Sequence, residues 1–292
     1  MRHGWLGGRG GGRHARRTRT LVGRAIWLLT AAIAISCAIA VISPGTGAVH
    51  LATRMADAAG TLSLRAPAAP PISADGQSFS GTPAVGALFL MSGGQLGGHF
   101  CTASVVDSPH GDLVITAAHC VSGKSPSHIA FVPGYHSGQA PYGIWLASAV
   151  LADSAWRASG NPDHDVAFLV VHRAGSSARI QDLTGGERLG IGWPARAWVQ
   201  VIGYPDATEQ PITCQNDSKP LGPDQLEFDC GGYTDGTSGG PFLGRVNPRT
   251  GDGTVIGVIG GYEQGGYIAS VSYSPWFGSA VQALYQTAVA QG

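Results

Sequence analysis

From about residue 82 onward the chain is regularly punctuated. Short apolar runs alternate with clusters of Gly, Pro, Asp and Ser roughly every ten residues. The runs cover residues 85–91, 113–117, 129–132, 144–151, 166–172, 198–202, 255–259 and 267–271. Runs this short, bounded by turn residues, predict β-strands and leave no room for a helical core. The 45 glycines suit a chain that reverses direction often. Only residues 276–290 carry helical spacing, with Phe277, Ala280, Val281, Leu284 and Val289 on one face. Residues 83–292 are therefore expected to fold as an all-β body, either one compact unit or two apposed barrels, closed by a C-terminal helix. Trp145, Trp156, Trp193 and Trp198 are read as core residues.

The first 82 residues have a different texture. Residues 1–24 contain seven arginines and no acid, and residues 25–42 form an uncharged, mostly aliphatic run. A basic segment followed by an apolar one is an export signal or a membrane anchor. Eighteen residues lie at the lower limit for a helix that spans a bilayer. The small residues Thr46-Gly47-Ala48 favour cleavage, so residues 1–48 read as a signal peptide or signal anchor. Residues 49–82, centred on Arg65-Ala66-Pro67-Ala68-Ala69-Pro70-Pro71, read as a linker or propeptide because they offer little to bury.

The formal net charge of zero conceals an asymmetry. Seven of the 18 basic residues precede residue 25, leaving 11 against 18 acidic residues in the remainder, a net of −7. An acidic body gives no support for nucleic-acid binding. The expected location is secreted or extracytoplasmic, with membrane contact only if the N-terminal segment is retained, and a monomer is expected. Cys37 lies in the apolar run, which leaves Cys101, Cys120, Cys214 and Cys230. An even number in an exported domain suggests two disulfides. Three pairings are open from sequence, and the nearest-neighbour one, Cys101–Cys120 with Cys214–Cys230, is adopted. No CxxC or HExxH occurs, and neither a metal nor a cofactor is expected.

Three segments carry chemistry. Gly236-Thr237-Ser238-Gly239-Gly240 places a serine on a glycine-rich turn, Thr116-Ala117-Ala118-His119-Cys120 offers a base, and Asp163-His164-Asp165-Val166 offers an acid to orient it. Taken singly, such a serine is a turn residue and such a histidine a packed one; the ordered combination is informative. The serine segment also matches G-x-S-x-G, the nucleophile elbow of α/β-hydrolases, which needs its histidine after the serine. The last of the ten histidines is His172, so that fold is excluded. An Asp-His-Ser order would need Asp107 or Asp112, but no α/β alternation surrounds them. The order His119, Asp165, Ser238 remains. Asp163, beside Pro162, is assigned to turn chemistry, and His164 and His172 to the surface or a strand end.

Together these segments, with Pro241 after the glycines, resemble the signature blocks of chymotrypsin/trypsin-like serine endopeptidases over residues 83–288. The resemblance implies two six-stranded antiparallel β-barrels with the site between them and a C-terminal helix. It implies that His119 is general base and acid, that Asp165 fixes its tautomer, and that Ser238 is the nucleophile. The backbone N–H groups of Gly236 and Ser238 would form the oxyanion hole. It pairs Cys120 with Cys101, and it makes polypeptides the substrates. Two positions depart from the family pattern. Thr237 replaces the aspartate that receives a new N-terminal ammonium, so activation by a buried ion pair is not expected. Gly232, six residues before the serine, puts no charge at the base of the specificity pocket, and Gly260 and Gly261 are read as its wall. An uncharged pocket for apolar or small side chains is the resulting expectation. The alternative is a catalytically weak, protease-like binding or regulatory module, anchored in the membrane if residues 25–42 are kept.

Overall fold

The computed structural model describes residues 75–292. The expectations for residues 1–48, and for 49–74 as linker or propeptide, lie outside the described residues. Among the described residues no helix is long and apolar enough to cross a membrane.

A two-residue strand, β1 (Gln77–Ser78), precedes six strands that close into a barrel. These are β2 (Val85–Ser92), β3 (Gln95–Val106), β4 (Leu113–Thr116), β5 (Ile129–Pro133), β6 (Trp145–Ala152) and β7 (Ala167–His172). Their order around the barrel is β2-β3-β4-β7-β6-β5 and every pairing is antiparallel. The continuous apolar runs of β4 and β7 have a simple cause: both of their faces are covered. Val114, Leu169 and Val171 join Leu88, Phe131 and Trp145 in one buried cluster. Leu113, Ile115, Phe168 and Val170 point the other way, into a second cluster shared with Tyr204, Val255, Phe277, Val281 and Leu284. Alternate side chains leave opposite faces of a strand, so a strand buried on both sides shows no polar alternation. Each such side chain contributes about 1.5–3 kcal/mol on burial.

The second half is an eight-stranded sheet. After β8 (Arg188–Leu189) it comprises β9 (Trp198–Gly203), β10 (Ile212–Leu221), β11 (Gln225–Asp229), β12 (Pro241–Gly244), β13 (Thr254–Val258) and β14 (Val271–Pro275), ordered β14-β11-β10-β9-β12-β13-β8, with β1 on β10. The six strands from β9 to β14 curl back on themselves. Gly260 N–H donates to the Tyr273 carbonyl at 2.9 Å, and Val258 N–H to the Ser274 hydroxyl at 2.9 Å, across the gap between β13 and β14. The expected pair of β-barrels with a C-terminal helix is thus present, with β1 and β8 as short additions to the second. Gly76 N–H bonds the Gly231 carbonyl at 2.8 Å and Phe79 N–H the Pro211 carbonyl at 3.1 Å, so residues 76–79 lie along the β10 edge through main-chain bonds that require no apolar composition.

Short helices α1 (Ala118–Val121), α2 (Ser154–Ser159) and α3 (Ile180–Thr184) interrupt the strands, and α4 (Ser279–Val289) ends the fold. Val281, Leu284 and Ala288 of α4 are buried in the seam cluster, and Tyr285 meets Phe168 edge-on at 5.8 Å.

Two sequence expectations fail. Residues 267–271 do not form a strand. Tyr267 and Ile268 are 78% and 61% exposed, and β14 starts only at Val271. The preceding Gly265 and Gly266 take φ of 104° and 120°, which breaks an extended path before the apolar residues can pair. Trp198 is not a core residue; it is half-exposed at the start of β9, whereas Trp145 is fully buried.

Candidate active site

The strand β4 delivers His119. It ends at Thr116, and α1 begins two residues later, against a barrel wall that Ala117 and Ala118 are small enough to approach with no exposure. The His119 backbone N–H donates to Asp165 Oδ1 at 2.8 Å, and its ring Nδ1 donates to Oδ2 at 2.7 Å. Asp165 is fully buried and accepts a third bond, from Gly261 N–H at 2.9 Å. Three donors to one buried carboxylate satisfy it and fix it in place. With Nδ1–H spent on the acid, Nε2 is the imidazole nitrogen left to accept a proton. A disulfide joins Cys120 to Cys101 on β3 and pins α1 to the barrel; the second bridge is Cys214–Cys230. His119 Nε2 lies 3.8 Å from Cys120 Sγ, but that sulfur is held in the disulfide and is no thiolate ligand.

Asp163 is directed elsewhere. Its backbone N–H is capped by the Asn161 side chain, and its Oδ1 accepts from Gln225 Nε2 at 2.8 Å. Gln225 Oε1 in turn accepts from Tyr262 N–H at 3.1 Å, so Asp163 braces the segment whose Gly261 holds Asp165.

The glycines around Ser238 are there because the turn is squeezed between the two barrels. A Cβ at Gly239 would fall 2.1 Å from Thr116 Oγ1 and 2.2 Å from the Thr102 carbonyl; one at Gly240 would fall 2.2 Å from the Ile202 carbonyl. Thr102 N–H bonds the Ser238 carbonyl at 2.7 Å, and Thr102 Oγ1 donates to the Gly236 carbonyl at 3.0 Å, tying the serine turn to β3. Gly236 has φ 89°, and its Cβ would lie 2.4 Å from Asp206 N. Asp206 N–H donates to the Asp235 carbonyl at 2.9 Å. A peptide's C=O and N–H point in opposite directions, so this bond turns the Gly236 N–H away from the Asp206 loop. Thr237 is buried, and its hydroxyl donates within the same turn to the Thr234 carbonyl at 2.7 Å.

One cavity of about 610 Å³ brings the pieces together. Its walls include Phe100, His119, Asp206, residues 233–238, Ile259 and residues 263–269. Gly236, Ser238 and His119 all border it. The three glycines expected to form the pocket do not line it. Gly260 backs onto Asp165, where a Cβ would meet Oδ2 at 3.0 Å, and Gly261 has φ 78° and donates to the same carboxylate. Gly232 lies against the β1 segment, near Gly76. No sequence signal marks the 263–269 wall, in which Glu263 and Gln264 hold left-handed φ of 51° and 54°. Tyr233 turns its side chain inward to donate to the Val201 carbonyl at 2.8 Å. Burial pushes its phenol pKa far upward, so it stays neutral.

Comparison with known proteins identifies the family and the fold. Residues 101–258 match the family model of the trypsin-like peptidase domain. The chain is 27% identical to the protease Anisep from Arthrobacter nicotinovorans, with a TM-score of 0.62, covering 74% of this chain and 99% of that one. It is 26% identical to the thermostable serine protease AL20 from an extremophilic microorganism, with a TM-score of 0.61, covering 72% and 99%. A Glu endopeptidase structure shares the fold at 16% identity and a TM-score of 0.57, covering 74% and 97%. A search of curated protein sequences returns no match. With its two β-barrels, its C-terminal helix and more than half its length matched by one family model, the chain belongs to the trypsin-like peptidase domain family and is a serine endopeptidase.

Proposed function

We propose that Ser238, His119 and Asp165 form the catalytic triad and that peptide hydrolysis proceeds through an acyl-enzyme. His119 Nε2 takes the proton of Ser238 Oγ as the oxygen attacks the scissile carbonyl, and later returns it to the leaving amine. Asp165 holds the tautomer and stabilises the imidazolium. The N–H groups of Gly236 and Ser238 receive the developing oxyanion, each worth about 10²–10³ in rate. The observation that carries this reading is the pair of hydrogen bonds from His119 to the buried Asp165, beside a cavity that Ser238 shares.

Gly232 lies outside the cavity, so preference is set by the wall that Ile259 and residues 263–269 form; Ile259, Ile268 and Ala269 there favour apolar or small residues before the scissile bond. Because Thr237 spends its hydroxyl on Thr234, assembly of the serine turn needs no incoming ammonium. Removal of the segment that precedes β1 would serve localisation or steric release, whereas residues 76–82, expected to belong to the linker or propeptide, stay with the body through the β1 pairing. The two disulfides and the basic-apolar N-terminus support an exported enzyme.

Labelling with a fluorophosphonate probe tests the triad. The wild type should react with one equivalent and Ser238→Ala with none. An unreactive wild type, after removal of the leader, would return the chain to the reading of a catalytically weak module. N-terminal sequencing of exported material separates a cleaved signal from a retained anchor.

A further inference from the structure

The rim of the cavity is charged unevenly. Asp206 and Asp235 are adjacent through the Asp206 N–H to Asp235 carbonyl bond, and both are exposed at the cavity. Neither carboxylate forms an ion pair or a side-chain hydrogen bond among the described residues. Phe100 borders the same cavity, and its ring offers flat apolar surface. Among the described residues the one lysine or arginine in the cavity wall is Lys124, whose Nζ lies 5.1 Å from the Phe100 ring centroid.

The position of these groups along the cleft follows from the fold. The loop that carries Asp206 is tied to β3 by Tyr204 N–H donating to Thr102 Oγ1 at 2.8 Å, and by His99 Nε2 bonding the Thr208 carbonyl at 3.1 Å. Phe100 and Cys101 therefore stand beside Asp206 and Asp235, at the end of the cleft that also holds the Cys101–Cys120 bridge and the His119 ring. The opposite side of His119 is closed by Asp165 and Gly261. The leaving amine must take its proton from His119 Nε2, so the residues that follow the scissile bond run toward the Phe100 end. An extended chain advances about 3.3 Å per residue, so the first two of them cover this rim.

We propose that Asp206 and Asp235 select a basic side chain within the first two residues after the scissile bond, its aliphatic stem lying against Phe100. This rests on the triad reading above. An Arg or Lys suits the place chemically: its methylenes can cover an aromatic face while its charged head reaches two carboxylates. The acidic body of the enzyme adds long-range attraction for such substrates. Each exposed carboxylate should contribute about two- to fivefold, so the pair gives roughly tenfold.

The test uses fluorogenic peptides that share one residue before the scissile bond and differ only in Arg, Ala or Glu at the first or second position after it. The wild type should cleave the Arg peptide with kcat/KM about tenfold above the Glu peptide at one of those positions. In Asp206→Asn/Asp235→Asn that ratio should fall to within about twofold, and 1 M NaCl should compress it in the wild type, since screening there acts within about 3 Å. A purely structural role for the two residues would slow all peptides alike and leave the ratio intact, which would overturn the proposal. A wild-type ratio near one with brisk cleavage of the Ala peptide would also overturn it while leaving the triad standing. If no peptide is cleaved in a Ser238-dependent way, the triad reading fails and this inference falls with it.

Discussion

The Asp206 N–H donates to the Asp235 carbonyl at 2.9 Å, and this bond sets the direction of the next N–H, that of Gly236. Thr102 Oγ1 holds the Gly236 carbonyl on the other side, so the peptide units before and after the Gly236 Cα are both gripped. Gly236→Ala should break the grip, because φ 89° is unfavourable for alanine and its Cβ would fall 2.4 Å from Asp206 N. The expected result is a loss of about 10²–10³ in kcat. Steady-state kinetics normalised by active-site titration would check it.

Asp165→Asn keeps the shape of the buried acid and removes its charge. An amide can present its NH₂ to the His119 ring and favour the wrong tautomer. A fall of about 10⁴ in kcat is expected, with KM little changed. The KM against kcat split separates this from a collapsed site, which would raise KM as well.

Glu187 predicts an alkaline weakness. It is fully buried beside β8; its Oε2 accepts from Gly253 N–H, and its Oε1 has no partner among the described residues. Burial raises its pKa from 4.5 to about 8, the Gly253 bond opposes that rise, and the carboxylates of Asp252 and Asp107 add to it. A carboxyl whose pKa is raised on folding stabilises the fold fully below pH 4.5, and the contribution drains away as pH climbs to about 8. The loss is on the order of a few kcal/mol. Thermal unfolding from pH 5 to 9 should show a declining Tm, and Glu187→Gln should flatten the decline. An unchanged slope in the variant would assign the effect to other groups.

The Cys101–Cys120 bridge closes a loop with a sequence separation of 19, which contains the whole of β4 and His119. Removing it as Cys101→Ala/Cys120→Ala should cost roughly 3 kcal/mol through the entropy of the open loop. Because Cys120 sits on α1 next to His119, activity should be lost on heating before the global transition seen by circular dichroism. Parallel melts followed by rate and by ellipticity would test this.

Gly239→Ala should be far worse than an ordinary glycine replacement. Its Cβ would overlap Thr116 Oγ1 and the Thr102 carbonyl, and φ 81° adds strain. Little soluble, folded protein is expected, and limited proteolysis would report it.

Much of the architecture was legible because burial writes itself into local patterns. Residues 113–117 and 166–172 are apolar on consecutive positions since β4 and β7 are covered on both faces. The spacing of Val281 and Leu284 marks the buried face of α4, which Ala288 completes where the sequence offered Ala280 and Val289. Strands with one solvated face left no such trace. β3 opens with Gln95-Leu96-Gly97-Gly98, and β10 carries Lys219 and Pro220 just before its final Leu221, yet both pair along most of their length. Tyr267 and Ile268 misled for the converse reason: they are apolar and exposed at the cavity edge.

The sequence by itself determined the chemical inventory: a histidine, an aspartate and a serine in that order, and no histidine after the serine. It could also separate Asp165 from Asp163, since only Asp165 directly precedes an apolar run. Tertiary structure alone decided what the glycines do. Gly261 gives its N–H to Asp165 and Gly260 backs the same acid, while the cavity wall comes from residues 263–269. It also decided that Asp206, more than thirty positions before Ser238 in the chain, stands at the rim of that serine's cavity. Spacing along a chain encodes the periodic burial of strands and helices. The meeting of two loops from separate strands is set by how the barrels close and pack, and no local pattern records it.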